Sequence, residues 1–187
     1  REDVLGKYLA YEDTSAVTYE AYVSQFGKAY ADDTAKRIAV KASDYSEADM
    51  KGLTETGGVV WTQESGSLTY TFDVEQDGLY YIQLTYYPDV TGTQTMLRNV
   101  YINGKLPFDD CEDIAFDRLW VDDSKDWLMN TKGNQAAPTQ VQKEGPAVTY
   151  LSSADCDVAG GYMFYLKKGS NTVTLESSQA VMGISEI

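Results

Sequence analysis

Histidine is absent from this 187-residue chain. Its absence removes the commonest general base and the commonest transition-metal ligand. Ser-His-Asp and Cys-His mechanisms are excluded with it. Positive charge is also short: 15 Lys and Arg stand against 29 Asp and Glu, for a net charge of −14. Such a surface repels phosphate backbones and anionic lipid. Nucleic acid is therefore an unsuitable partner, while neutral sugars, cations and basic proteins remain suitable. No apolar run is long enough to span a bilayer, so no membrane contact is expected of this chain itself. Cysteine occurs only at Cys111 and Cys156. In an exported protein the two form a candidate disulfide, worth ~4 kcal/mol in the chain-entropy model. Two buried free thiols are the alternative. The chain opens at Arg1 rather than Met and reads as a piece of a longer protein.

Tyrosine is abundant: 15 residues, beside 3 Trp and 5 Phe. It suits strands, where a ring face packs and the hydroxyl reaches water. The first 33 residues carry a helical period. Thr18 caps a helix beginning at Tyr19, with Glu20 in its first turn and Gly27 as its stop. Tyr19, Tyr22, Val23 and Phe26 fall on one face of it.

From residue 34 onward the period becomes two. Leu68, Tyr70, Phe72 and Val74 alternate with Thr69, Thr71 and Asp73; Tyr80, Ile82, Leu84 and Tyr86 share one face; Tyr162, Phe164 and Leu166 alternate with Met163 and Tyr165, and Val173 and Leu175 with Thr172 and Thr174. Asp77-Gly78, Asn103-Gly104 and Lys168 to Asn171 supply turns between such runs. No helical crossovers separate the strands, so parallel βαβ units are excluded. The predicted fold is mainly β: an antiparallel, jelly-roll-like β-sandwich over residues 34–187, with a short N-terminal helical segment, residues 1–33, packed on it. The stretch from Pro107 to Gly145 is less regular, with Leu119 to Val121 a weaker strand candidate inside it, and reads as a long loop.

The order of these motifs resembles the carbohydrate-binding modules of the galactose-binding-like superfamily, of the family 6/35 type. The resemblance is carried by Ile38 to Tyr45 as an opening strand, the pair Gly57-Gly58, Leu68 to Val74 followed by Asp77-Gly78-Leu79-Tyr80, Val100 to Gly104, and Lys168 to Leu175. Pro107-Phe108, Arg118-Leu119-Trp120, Gly133-Asn134, Pro138 and Gln140 further resemble an N-terminal domain on extracellular solute-binding lipoproteins of sugar ABC importers in Firmicutes. The resemblance implies a non-catalytic module that binds an oligosaccharide or polysaccharide. It also implies a secreted or cell-surface setting, flanking domains of the same parent protein, and a link to sugar uptake. One departure is plain. Where the 6/35-type modules carry two glutamates that hold a structural calcium, this chain has Lys41-Ala42-Ser43. An ammonium cannot ligate a cation. Calcium is thereby doubtful, with Asp44 the one weak metal candidate, and no other cofactor is expected.

Sugar rings present C–H faces to aromatic rings and hydroxyls to planar donors and acceptors. Trp120 and Trp127 supply the rings. Asp122, Asp126, Asn130, Asn134 and Gln140 supply the polar groups. Of Tyr86 and Tyr87, one should point inward and the other outward; Tyr87 is the candidate for a sugar cleft. Arg98 could clamp a uronate carboxylate or pair with a surface acid. Trp61, in an apolar run, reads as core. The acids from Asp109 to Asp126 match no EF-hand spacing and read as a solvated face. Two other readings stay open: a structural or protein-interaction module that packs on a neighbouring domain, and a carboxylate-dependent glycosidase or lyase.

Overall fold

In the computed structural model, residues 17–26, 37–125, 128–129, 131–154 and 160–187 are described. Strands are numbered along the chain. One sheet is ordered β1 (Glu47–Asp49), β4 (Gly66–Val74), β15 (Gly169–Gln179), β7 (Met96–Ile102), β8 (Ile114–Phe116). The other is ordered β13 (Ala147–Tyr150), β6 (Gln83–Pro88), β16 (Met182–Glu186), β3 (Val59–Thr62), β2 (Thr54–Thr56). Every pairing within each sheet is antiparallel. Three short ribbons complete the set: β5 (Gly78–Tyr81) with β14 (Met163–Leu166), β9 (Leu119–Asp122) with β12 (Gln140–Lys143), and β10 (Leu128–Met129) with β11 (Gln135–Ala136).

The chain is thus an antiparallel β-sandwich with a short helix, as its alternation predicts. The alternating residues meet between the sheets. Leu68, Tyr70, Val100 and Leu175 from the first sheet share one core with Val60, Leu84, Met182 and Ile184 from the second. Each such side chain, fully buried, is worth about 1.5–3 kcal/mol of transfer free energy. Asn103 and Gly104 take positive φ, 50° and 76°, between the reciprocal bonds of Ile102 and Lys105. This is the geometry a two-residue hairpin turn requires.

Helix α1 (Tyr19–Ser24) begins where its cap predicts. The Thr18 hydroxyl accepts from the Ala21 N–H at 3.2 Å. Gly27, its expected stop, lies outside the described residues.

Two buried phenols tie loops to the core. Tyr70 donates to the Ala42 carbonyl at 2.9 Å, and Tyr86 to the Asp117 carbonyl at 2.9 Å. Burial pushes both above the ordinary tyrosine value of about 10. The folded state therefore favours the protonated phenol. That advantage is complete below about pH 10 and is lost as pH rises beyond it. The denaturant midpoint is expected to hold from neutrality to about pH 10 and then fall, with a smaller fall in Tyr70→Phe. An unchanged alkaline profile in Tyr70→Phe would sink this assignment.

Three expectations are corrected. The segment from Ile38 to Tyr45 is not a full strand. Val40 exchanges backbone bonds with Ile187, Lys41 bridges Glu186, and Ala42–Asp44 then form a 3-10 turn. The chain leaves one sheet there and enters β1 of the other, so it cannot stay extended. The stretch from Pro107 to Gly145 is not a long loop but carries β8 to β12, of which only β9 is expected, from Leu119 to Val121. The ribbon strands β9 and β12 are solvated on nearly every residue, so no alternation marks them. Cys111 is a free, fully buried thiol rather than half of a disulfide. Burial pushes its pKa up, which keeps it protonated and inert. Cys156 lies outside the described residues.

Candidate functional site: the outer face of the second sheet

Strand alternation gives the second sheet a dry face and a wet one. On β6, Leu84 and Tyr86 are buried, whereas Gln83, Thr85 and Tyr87 are half-buried on the opposite side. On β3, Val60 and Thr62 face inward; Val59 and Trp61 face outward. Register lines these outward residues up across the strands. Tyr150 pairs with Gln83, Thr85 with Glu186, Tyr87 with Gly183, and Gly183 with Trp61.

Gly183 is the hinge of this arrangement. It points outward yet is buried. A Cβ there would sit 2.7 Å from Val59 Cγ1, 3.1 Å from Tyr87 Cβ and 3.2 Å from the Trp61 ring at Cε3. The neighbouring side chains therefore close over the bare backbone, as aromatic rings do over strand glycines. The result is an apolar shelf built by Trp61 and Tyr87, each still partly open to solvent.

Beside that face, where Gln83 and Thr85 approach the edge between the two sheets, lies a cleft of about 330 Å³. Tyr81 and Tyr150, 51% and 45% exposed, stand on its rim with ring centroids 5.5 Å apart. Gln83, Thr85, Glu186 and Arg37 supply its polar groups. The Arg37 guanidinium reaches Gln83 Oε1 and Glu186 Oε1, both at 3.4 Å. This ion pair is well exposed, so it adds little to stability. The cleft shares Arg37, Ile38 and Tyr80 with a neighbour of about 290 Å³ that also holds Asp73 and Glu75. Phe72, Val74 and Val173 of the first sheet line the cleft too, so it opens at the edge between the sheets, with rings, an amide, a hydroxyl, a carboxylate and a guanidinium around it. These groups can stack on an apolar ring face and exchange hydrogen bonds with its hydroxyls.

The residues expected from sequence fall in three places. Trp120, Asp122 and Gln140 come together on the β9–β12 ribbon, where Gln140 pairs with Asp122 and Gln142 with Trp120, so all four share a face. Arg118 anchors that ribbon to the loop after β6. Its Nε donates to the Gln94 carbonyl at 2.8 Å, and its Nη1 to Gln142 Oε1 at 3.0 Å and to the Asp89 carbonyl. Asn134 is exposed in the turn before β11, near the far end of the ribbon. Tyr87 lies on the sheet face described above, with Tyr86 inward. Trp127, Asp126 and Asn130 lie outside the described residues. Asp44 is exposed on the 3-10 turn, and no group of three potential metal-binding side chains forms among the described residues.

Arg98 overturns its expectation. It is fully buried and touches neither ligand space nor a surface acid. Its Nη1 donates to the carbonyls of Leu97 (2.7 Å) and Gln179 (2.9 Å); its Nη2 donates to Thr62 Oγ1 (2.7 Å) and the Ala180 carbonyl (3.0 Å). Desolvation lowers its pKa to about 10, which leaves it charged at neutral pH. Arg98 is a stitch between the sheets. Trp61 is also corrected, from core to outer face. Val59 to Thr62 is apolar on one side and carries the Arg98 partner Thr62 on the other, so period alone could not say which side was dry.

No family model matches the chain, and no curated protein matches it. Among solved structures, it is similar to part of a GH26-CBM35 beta-(1,4)-mannanase of Podospora anserina, at 18% identity and a TM-score of 0.39, over 80% of this chain and 26% of that one. It is similar to part of a cycloisomaltooligosaccharide glucanotransferase of Paenibacillus sp., at 12% identity and a TM-score of 0.44, over 92% and 23% of the two chains. It is also similar to part of a GH115 4-O-methyl-alpha-glucuronidase with specificity for decorated arabinogalactans, at 17% identity and a TM-score of 0.35, over 85% and 19%. The chain spans between 19% and 26% of the length of these proteins.

Proposed function

We propose that this domain is a non-catalytic carbohydrate-binding module, and that it holds an oligosaccharide or polysaccharide on the outer face of the second sheet. The observation that carries this reading is the Trp61–Tyr87 shelf over Gly183, joined by Gln83, Thr85 and Glu186 to the cleft rimmed by Tyr81 and Tyr150. An open sheet face suits a neutral, hydroxyl-rich ligand, and the acidic surface discourages polyanions. Such a module serves a longer secreted or cell-surface protein by keeping glycan close; weak sites gain from the effective concentration that linkage provides.

One observation favours a second reading, a protein-interaction module. Trp120, Val121, Met129 and Val141 stand exposed along the ribbons, and exposed apolar groups of this kind mark interaction surfaces. A glycan array of the chain, with Trp61→Ala and Trp120→Ala alongside, separates the two. Trp61→Ala is expected to weaken binding by about tenfold, with Trp120→Ala close to the parent. Loss only in Trp120→Ala would move the glycan site to the ribbon. No glycan bound by the parent chain would overturn the carbohydrate reading and favour the second.

A further inference from the structure

The turn after β7 is Asn103-Gly104, a dipeptide with a chemistry of its own. The Gly104 nitrogen, unshielded by any side chain, can attack Cγ of the Asn103 amide. The amide leaves as ammonia, taking the Gly104 N–H proton with it, and a cyclic imide closes. Water then opens the imide at one carbonyl or the other, to an aspartyl or an isoaspartyl residue. Asparagine is thermolabile for this reason. The nucleophile is open to the reaction: Gly104 is exposed, and a Cβ built on it would meet nothing within 4 Å.

The electrophile is held away from it. The Asn103 N–H donates to the Thr172 carbonyl at 2.9 Å, and Asn103 Oδ1 accepts from the Thr172 N–H at 2.8 Å. The side-chain oxygen thus takes the place on β15 that the turning backbone gives up, one step beyond the Ile102–Val173 pair. Asn103 Nδ2 donates to Asn171 Oδ1 at 3.0 Å. Asn171 is 1% exposed, and its own Nδ2 donates to the carbonyls of Lys167 (2.8 Å) and Gly169 (3.0 Å). Those two bonds settle which way the Asn171 amide points. Both ends of the Asn103 amide are therefore tied to β15. They must be released before Cγ can swing onto the Gly104 nitrogen in an attacking geometry.

We propose that Asn103 is a guarded self-modification site: its clasp with Asn171 and Thr172 sets the rate at which the amide is lost, and loss of the amide opens the clasp. The second half follows from donors and acceptors. A carboxylate at position 103 has no hydrogen to give Asn171 Oδ1 and turns an oxygen toward it. Asn171 cannot answer by flipping, because its Nδ2 would then abandon the Lys167 and Gly169 carbonyls. An isoaspartyl link also adds a backbone atom to a turn in which both residues hold positive φ. The modification unties the turn after β7 from the turn between β14 and β15.

The test follows amide loss at position 103 by peptide mapping, in the whole chain at mildly alkaline pH. The folded parent is expected to lose the amide at least about tenfold more slowly than the same chain in urea, and Asn171→Ala about tenfold faster than the folded parent. Equal rates for the parent with and without urea would overturn the guard, and that comparison needs no variant to fold. An unchanged rate in a folded Asn171→Ala would overturn the clasp as its cause. Asn103→Asp tests the consequence: its denaturant midpoint is expected to fall below that of the parent, with faster amide exchange at Thr172. A midpoint and an exchange rate equal to the parent's would overturn the opening of the clasp.

Discussion

Replacing Arg98 with alanine is expected to lower the free energy of unfolding by about 3–5 kcal/mol. The guanidinium makes four hydrogen bonds, to the carbonyls of Leu97, Gln179 and Ala180 and to the Thr62 hydroxyl. Truncation leaves those acceptors facing a void. It also frees a strained corner: Ala180 holds φ at 65° where the chain passes from β15 in one sheet to β16 in the other. A charge without a buried acid beside it is expensive, and Arg98 Nε has no acceptor among the described residues. Arg98→Met removes that expense and fills most of the space, so it should cost less than Arg98→Ala. Chemical denaturation of the two variants measures the difference. A loss below about 1 kcal/mol in Arg98→Ala would mean the stitch is idle.

The second large effect is expected at Gly183. In Gly183→Ala the new methyl enters the space already occupied by Val59, Tyr87 and Trp61. Overpacking of this kind costs about 1–3 kcal/mol. Val59 Cγ1 can yield by rotation, but Tyr87 Cβ is fixed to its strand, so Trp61 must lift from the sheet. Glycan affinity should then fall by about tenfold while the chain remains folded. Paired measurement of the denaturation midpoint and of binding to the glycan identified on the array checks both parts. A variant that binds as the parent does would show that the shelf takes no part in recognition.

Sequence revealed the sandwich wherever one face of a strand is dry and the other wet. β4, β6 and β15 alternate for this reason, and so do their burial patterns. It failed where that contrast is missing. β1, β2 and most of β9 and β12 are solvated on both faces, so nothing in their residue order repeats. Arg98 illustrates a different failure. The series Met96, Arg98, Val100, Ile102 places it squarely on the buried face of β7. Charge suggested the surface, yet the period pointed inward, and the period was right. The site was only half legible. Tyr87 could be assigned outward from its neighbour Tyr86. Trp61 and Glu186 come beside Tyr87 and Thr85, and Tyr150 beside Gln83, only through pairings that join β13, β6, β16 and β3, and no local pattern announces those.

The Arg98 stitch also bears on mechanical load. A polymer gripped at Trp61 would pull on β3, which is flanked in its sheet by β2 and β16. The next residue, Thr62, donates to the Met182 carbonyl and accepts from Arg98 on the opposite sheet. Tension entering at the ring would thus be divided between two layers at its point of entry. Bonds would be stretched side by side instead of one after another, and the strand carrying the ligand would be hard to peel from the body when the protein and its glycan are dragged apart.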